Sequence, residues 1–231
     1  KIPAKRHTAF KKKDGNIYYE ELLSRKGFSS IYSNLYHLQR PTKITKVGEL
    51  IKQELTKAES KHRARHITTA NLDSSGDALS ARMPLFFNLD ITISVATITE
   101  NMEYCYRNGT ADEVLYIQSG EGKFISNFGT IQIKPGDYMV IPRGVIWQMS
   151  PSETVRMLVI ESAGPVETPS RYRNRFGQLL EHSPFCERDI RVPVLQDPME
   201  NTGECLVKVK TPNGIQEYTY AHHPCDVVGW D

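Results

Sequence analysis

Between residues 111 and 149 the chain reads ADEVLYIQSGEGKFISNFGTIQIKPGDYMVIPRGVIWQM, and few folds accommodate such a stretch. β-Branched, aliphatic and aromatic residues come in short runs: Val114 to Ile117, Phe124 with Ile125, then Ile131 and Ile133. Gly120-Glu121-Gly122, Asn127-Phe128-Gly129 and Pro135-Gly136-Asp137 separate them. Apolar runs this short fit strands, and glycine supplies the backbone angles of each reversal, so the stretch predicts the strands of a small β-barrel joined by tight turns.

The flanking sequence extends the same reading. LDITISVATI (89–98) alternates, and TVRMLVIESAG (154–164) sets Val155, Met157 and Val159 on one side with Leu158 and Ile160 on the other, which predicts a strand buried on both faces. CLVKVKT (205–211), a turn at Pro212-Asn213-Gly214 and IQEYTYAHHP read as a hairpin. The expected fold is all-β, with few short helices. Residues 46–231 form the barrel domain, which includes a long proline- and charge-rich connection over 164–193. Residues 1–45 form an arm rich in aromatics (Tyr18, Tyr19, Tyr32, Tyr36, beside His37) with no clean period. Such an arm packs against a barrel rather than folding alone, and residues 17–37 are expected to lie on a second copy, giving a homo-oligomer.

Composition narrows the functional classes. With 39% apolar and 24% charged residues the chain is an ordinary globular sequence, and its net charge of +2 is scattered. No basic stripe interleaved with aromatics marks a nucleic-acid partner. No apolar run approaches the roughly 20 residues of a membrane span, and the charged start lacks the apolar core of a secretory leader, so a cytoplasmic location is expected. Cys105, Cys186, Cys205 and Cys225 show no CxxC spacing. They predict reduced thiols, without a zinc ribbon or a redox pair.

The 111–149 segment resembles the cupin family, so the expected barrel is a jelly roll. Glu113 with Gly120, and Gly136 with Pro142-Arg143-Gly144, fall at that family's spacings. The usual histidine ligand positions hold Tyr106, Asn108 and Trp147 instead. An indole has no lone pair to give a metal, so no metal is expected on this chain. Glu113 alone reads as a carboxylate paired with an arginine or exposed to water.

Longer stretches carry a second resemblance. RYRNRFGQLLEHSPFCERDIRVP (171–193), YTYAHHPCDVVGWD (218–231) and the opening KIPAKRHTAF resemble the bacterial homogentisate 1,2-dioxygenase family, over nearly the whole chain. The resemblance implies two barrels, an N-terminal one without metal and a C-terminal one holding Fe(II) on two histidines and a glutamate. It also implies ring cleavage of an aromatic substrate in tyrosine catabolism, with both oxygen atoms of O2 entering the opened ring. This chain matches the first barrel. The catalytic barrel is expected beyond residue 231 as its partner, and the 231 residues alone are expected to be inactive. The alternative is a metal-free binding module for a small aromatic ligand lined by Tyr104, Tyr106, Tyr116, Trp147 and Met149.

His222 and His223 are adjacent and point to opposite faces of a strand, so a structural role is expected. His62 and His66 are four apart with no third ligand nearby. His182 sits with Glu181, Glu187 and Asp189 in the densest acid–histidine cluster, and either fixes its loop or meets a domain seam or subunit. Arg171, Arg173 and Arg175 could bind a carboxylate; salt bridges to the acidic loop that follows are the plainer expectation.

Overall fold

The computed structural model describes residues 11–24, 27–29, 32–58, 61, 63–72, 74–200 and 202–230. The opening KIPAKRHTAF and His62 lie outside these residues. The strands are β1 (Tyr19–Ser24), β2 (Tyr32–His37), β3 (Ile44–Ile51), β4 (Ser75–Gly76), β5 (Met83–Phe87), β6 (Ile91–Ile98), β7 (Cys105–Asn108) and β8 (Asp112–Ser119). They continue as β9 (Gly122–Ser126), β10 (Gly129–Ile133), β11 (Tyr138–Ile141), β12 (Ile146–Pro151), β13 (Val155–Ser162), β14 (Cys205–Thr211), β15 (Gly214–Tyr220) and β16 (Val227–Trp230). The helical content of the described residues consists of single 3-10 turns. None of it is long and apolar enough to cross a membrane.

Two sheets face each other as the all-β jelly roll of a cupin-type barrel. One runs β11-β8-β13-β6-β4 with β5 also on β6, and the other runs β10-β9-β12-β7-β14-β15-β3. Alternation fills the space between them: Leu115, Ile117, Met157 and Val159 from the first sheet meet Tyr106, Phe124, Trp147 and Met149 from the second. The turns fall where glycine marked them. Gly120 ends β8 with φ +83°, and a Cβ there would sit 2.2 Å from the Thr154 carbonyl oxygen, so this reversal needs both the positive φ and the missing side chain.

Two expectations are corrected. β13 is buried on one face: Val155, Met157, Val159 and Glu161 point inward, while Arg156, Leu158 and Ile160 are half-buried on the outer side. The aromatic arm is not an element without regular structure: its β1 and β2 segments are paired strands. β2 pairs with both β1 and β16, making a three-stranded sheet within one chain. The outer face of the larger barrel sheet carries a second, smaller apolar cluster, with Cys105, Ile146, Val207 and Tyr220 buried and Cys205, Val209 and Tyr218 packed against them.

Candidate functional site

Five polar side chains, four of them buried and Lys210 half-buried, meet at the inner end of the barrel. Glu113 opens β8, Glu161 closes β13 opposite it, and the register pairs the two directly. Two like carboxylates facing each other across a ladder repel, so the site requires cations. Arg82, from the segment between β4 and β5, places Nη1 2.6 Å from Glu113 Oε1 and 3.6 Å from Glu161 Oε1. Lys210 of β14 donates to both oxygens of Glu161 at 2.7 and 2.9 Å. Asn108 closes the circuit: its Nδ2 donates to Glu161 at 2.8 Å and to Glu113 at 3.2 Å, while its Oδ1 accepts from the backbone of Thr110 and Ala111.

Aromatic rings complete the cage. The Arg82 guanidinium lies 5.3 Å from the Tyr106 ring centroid and 5.9 Å from that of Trp147, and these two rings meet edge to face at 5.3 Å. The electrostatics follow from this crowding. Burial opposes the charge on Glu161, yet Arg82 and Lys210 hold its carboxyl below the ordinary range. Burial also opposes the guanidinium charge, and Glu113, Tyr106 and Glu161 hold it firmly protonated. The Tyr106 hydroxyl is pushed well above its usual pKa by burial and by Glu113.

This arrangement does not fit the iron that the family frame implies. Tyr106, Asn108, Glu113 and Trp147 do converge, so the spacing identified the right place. The one carboxylate among them is already engaged by a guanidinium, and the remaining groups are a phenol of raised pKa, an amide whose oxygen is spent on backbone N–H groups, and an indole. A permanent cation carried on a side chain stands in the position of the exchangeable one. Sequence reasoning missed Arg82, Glu161 and Lys210 because they come from three separate elements and belong to no motif. Glu113 was expected to be paired or solvated; it is fully buried and paired.

The remaining predicted residues divide between inside and outside. Tyr106, Trp147 and Met149 are fully buried and pack on one another or on Phe124. Tyr104 donates its hydroxyl to Asp77 at 2.8 Å, with Lys208 over its ring. Tyr116 does not belong to this group. Leu115 and Ile117 point inward, so the period of two turns Tyr116 outward, where it stacks on the exposed Tyr138 at 4.6 Å. An open groove of about 420 Å³ lies elsewhere, lined by Lys12, Tyr18, Leu38, Gln39, Met199 and Thr202 among others.

In the 164–193 connection His182 is exposed and its Nε2 bonds the Arg171 carbonyl at 3.0 Å. Salt bridges to the following acidic loop are not what the arginines make. Arg173 pairs with the preceding Glu167 at 2.7 Å, and Arg171 and Arg175 stack on their neighbours Tyr172 and Phe176. Glu187 and Asp189 instead accept backbone N–H groups of Leu179 and Cys186, and Asp189 meets its neighbour Arg188 at 3.5 Å. His66 is exposed on a stretch without helix, so the four-residue spacing to position 62 builds nothing among the described residues. His222 bonds the carbonyls of Arg40 and His223, a structural use.

A second buried charged cluster was invisible in the sequence. His37 Nδ1 lies 2.7 Å from Asp226 and its Nε2 3.3 Å from Glu21, which in turn meets Arg107 at 3.3 Å. It fastens the three-stranded sheet to the outer face of β7.

The chain is similar to several known proteins. Residues 77–231 match the family described as homogentisate 1,2-dioxygenase N-terminal. A Saccharolobus solfataricus protein named "putative dioxygenase" is 41% identical over the whole chain, which covers 60% of that protein. Homogentisate 1,2-dioxygenase of Bradyrhizobium diazoefficiens is 30% identical over 59% of this chain and 30% of its own length. The chain thus spans less than two thirds of these relatives. Among solved structures, a cupin-2 domain protein from Shewanella frigidimarina is 18% identical, with a TM-score of 0.32 over 35% of this chain and 78% of that one.

Proposed function

The chain belongs to the homogentisate 1,2-dioxygenase N-terminal family, and from that membership we propose that it is the metal-free, structural half of an aromatic-ring-cleaving dioxygenase. The observation that carries this reading is Arg82. Its guanidinium neutralises Glu113 and Glu161 from within the barrel, so the domain keeps its polar interior folded without iron. Fe(II), the ring substrate and the catalytic residues then belong to a second barrel that follows in the longer relatives. Homogentisate is the substrate the family name suggests, with tyrosine breakdown as its setting and the cytoplasm as its place.

The contribution of this half is positional. Phe176, Phe185, Ile190, Val192 and Val194 are exposed along the connection that also carries His182, Arg171, Arg173 and Arg175. Exposed apolar residues gathered on one segment support a docking role toward the catalytic barrel or a neighbouring subunit of a homo-oligomer. The alternative, a pocket for a small aromatic ligand inside this barrel, has less support because Tyr106, Trp147 and Met149 already fill that space with one another.

Oxygen uptake tests the proposal. The full-length protein supplied with Fe(II) should consume oxygen with homogentisate or a close relative of that ring, and the 231-residue chain should not. Turnover by the 231 residues alone would return the chemistry to this barrel.

A further inference from the structure

Outside the barrel, three soft ligand atoms meet on the outer face of β7 and β14. Cys105 Sγ lies 4.0 Å from Cys205 Sγ and 3.7 Å from His223 Nε2, and all three atoms lie within 4.8 Å of one another. They come from β7, β14 and the turn after β15, so the meeting is a product of tertiary structure. We propose that Cys105, Cys205 and His223 form a binding site for a thiophilic d10 cation of the zinc type.

The distances carry the inference. A tetrahedral zinc with Zn–S of about 2.3 Å and Zn–N of about 2.0 Å puts its sulfur–sulfur edges at about 3.8 Å and its sulfur–nitrogen edges at about 3.5 Å. The two edges at Cys105, 4.0 Å to Cys205 and 3.7 Å to His223, are within a few tenths of an ångström of these, and the Cys205–His223 edge is at most 4.8 Å. A disulfide is the competing use of two thiols, and the strand register opposes it. Val207, two residues beyond Cys205, is the partner of Cys105 on the parallel strand. Strand spacing and rise then separate the two cysteine Cα atoms by about 8 Å, beyond the roughly 7 Å that a disulfide spans without backbone movement. Side chains that converge from so wide a base suit a shared ion.

The surroundings suit one as well. Ile146, Val207 and Tyr220 wall the cluster, Cys105 is fully buried, and Gln148 Oε1 approaches Cys105 Sγ at 3.8 Å. Loading has one local cost. The Cys225 amide donates to His223 Nδ1 at 3.1 Å, which leaves the ring proton on Nε2. Coordination through Nε2 moves that proton to Nδ1, so the Cys225 amide must release the ring. The ion would tie the turn leading to β16 onto the larger barrel sheet.

Cobalt reports such a site without reference to activity, because a Co(II)–thiolate bond gives a near-ultraviolet charge-transfer band that histidine and carboxylate ligands do not. Full-length protein, reduced and stripped with chelator, would be titrated with Co(II) and then with Zn(II). The expected result is a thiolate band saturating at one equivalent and bleached by zinc, absent in Cys105→Ser and Cys205→Ser, with at least tenfold weaker zinc binding in His223→Ala. Cys205 is only half-buried, so Cys205→Ser keeps the test open if the Cys105 variant does not fold. Absence of the band in the wild type, a band that survives both serine variants, or peptide mapping that finds Cys105 and Cys205 joined as a disulfide in protein isolated without reductant would each overturn the site.

Discussion

Arg82 Nη1 and Glu113 Oε1 lie 2.6 Å apart inside the barrel, in the place that the cupin frame reserves for a metal. The pair solves a local problem of charge. Two carboxylates face each other across β8 and β13, and without a cation the barrel would have to bury them protonated or open to water.

Removing one partner of this pair should therefore be costly. Arg82→Met leaves Glu113 buried without its counter-ion and is expected to lower stability by about 3 to 5 kcal/mol. Arg82→Met with Glu113→Gln should cost clearly less than the two single changes added together. Urea denaturation of the four proteins completes the cycle, and strict additivity would mean the pair does not couple.

His37 predicts a dependence on alkaline pH. Burial alone would lower its pKa, but the Asp226 and Glu21 carboxylates, which accept hydrogen bonds from the protonated ring, raise it with their charges from 6.5 to about 9. Because the folded-state pKa lies above the unfolded one, this stabilisation is complete below 6.5 and is lost as pH rises through about 9. A shift of that size corresponds to on the order of 3 kcal/mol. The urea midpoint should fall across that window, and His37→Gln should flatten the fall. An identical slope in the variant would assign the alkaline loss to other groups.

Two glycines of similar φ should respond differently to alanine. Gly120 (φ +83°) meets the Thr154 carbonyl oxygen at 2.2 Å from an added Cβ, while Gly136 (φ +89°) meets nothing within 4 Å. Gly136→Ala should cost only the backbone strain, about 1 to 2 kcal/mol. Gly120→Ala adds a backbone clash and should cost about 3 kcal/mol or more. Equal losses on thermal melting would show that the Gly120 turn relaxes freely.

Truncating the aromatic residues separates interior from exterior. Trp147→Ala empties the centre of the core and should cost about 3 to 5 kcal/mol. Tyr116→Ala removes an outward ring stacked on Tyr138 and should cost about 1 kcal/mol or less. Comparable destabilisation in the two variants would contradict the inward and outward assignment along β8.

Much of the fold was legible in local sequence, because period-two alternation and turn glycines act over two to four residues. The reversals at Gly120, Asn127-Phe128 and Pro212-Asn213 fall where they were expected, and the spacing from Tyr106 through Glu113 to Trp147 located a buried polar place in the barrel. Which side of β13 faced the core was less legible, since an aliphatic run such as Leu158 to Ile160 satisfies either half-burial or full burial.

What the sequence by itself determined was an all-β chain of a recognisable family whose barrel lacks the usual histidine ligands: ligand chemistry is a property of residue type, and Trp147 cannot coordinate wherever it lies. Tertiary structure alone decided which cations meet Glu113 and Glu161, and which soft ligands met elsewhere. Arg82 reaches Glu113 across 31 residues and Lys210 reaches Glu161 across 49. Cys105 approaches Cys205 across 100 and His223 across 118. Such meetings depend on sheet order and register. These are set by the sum of many weak packing contacts over the whole barrel, so no short segment of the chain records them.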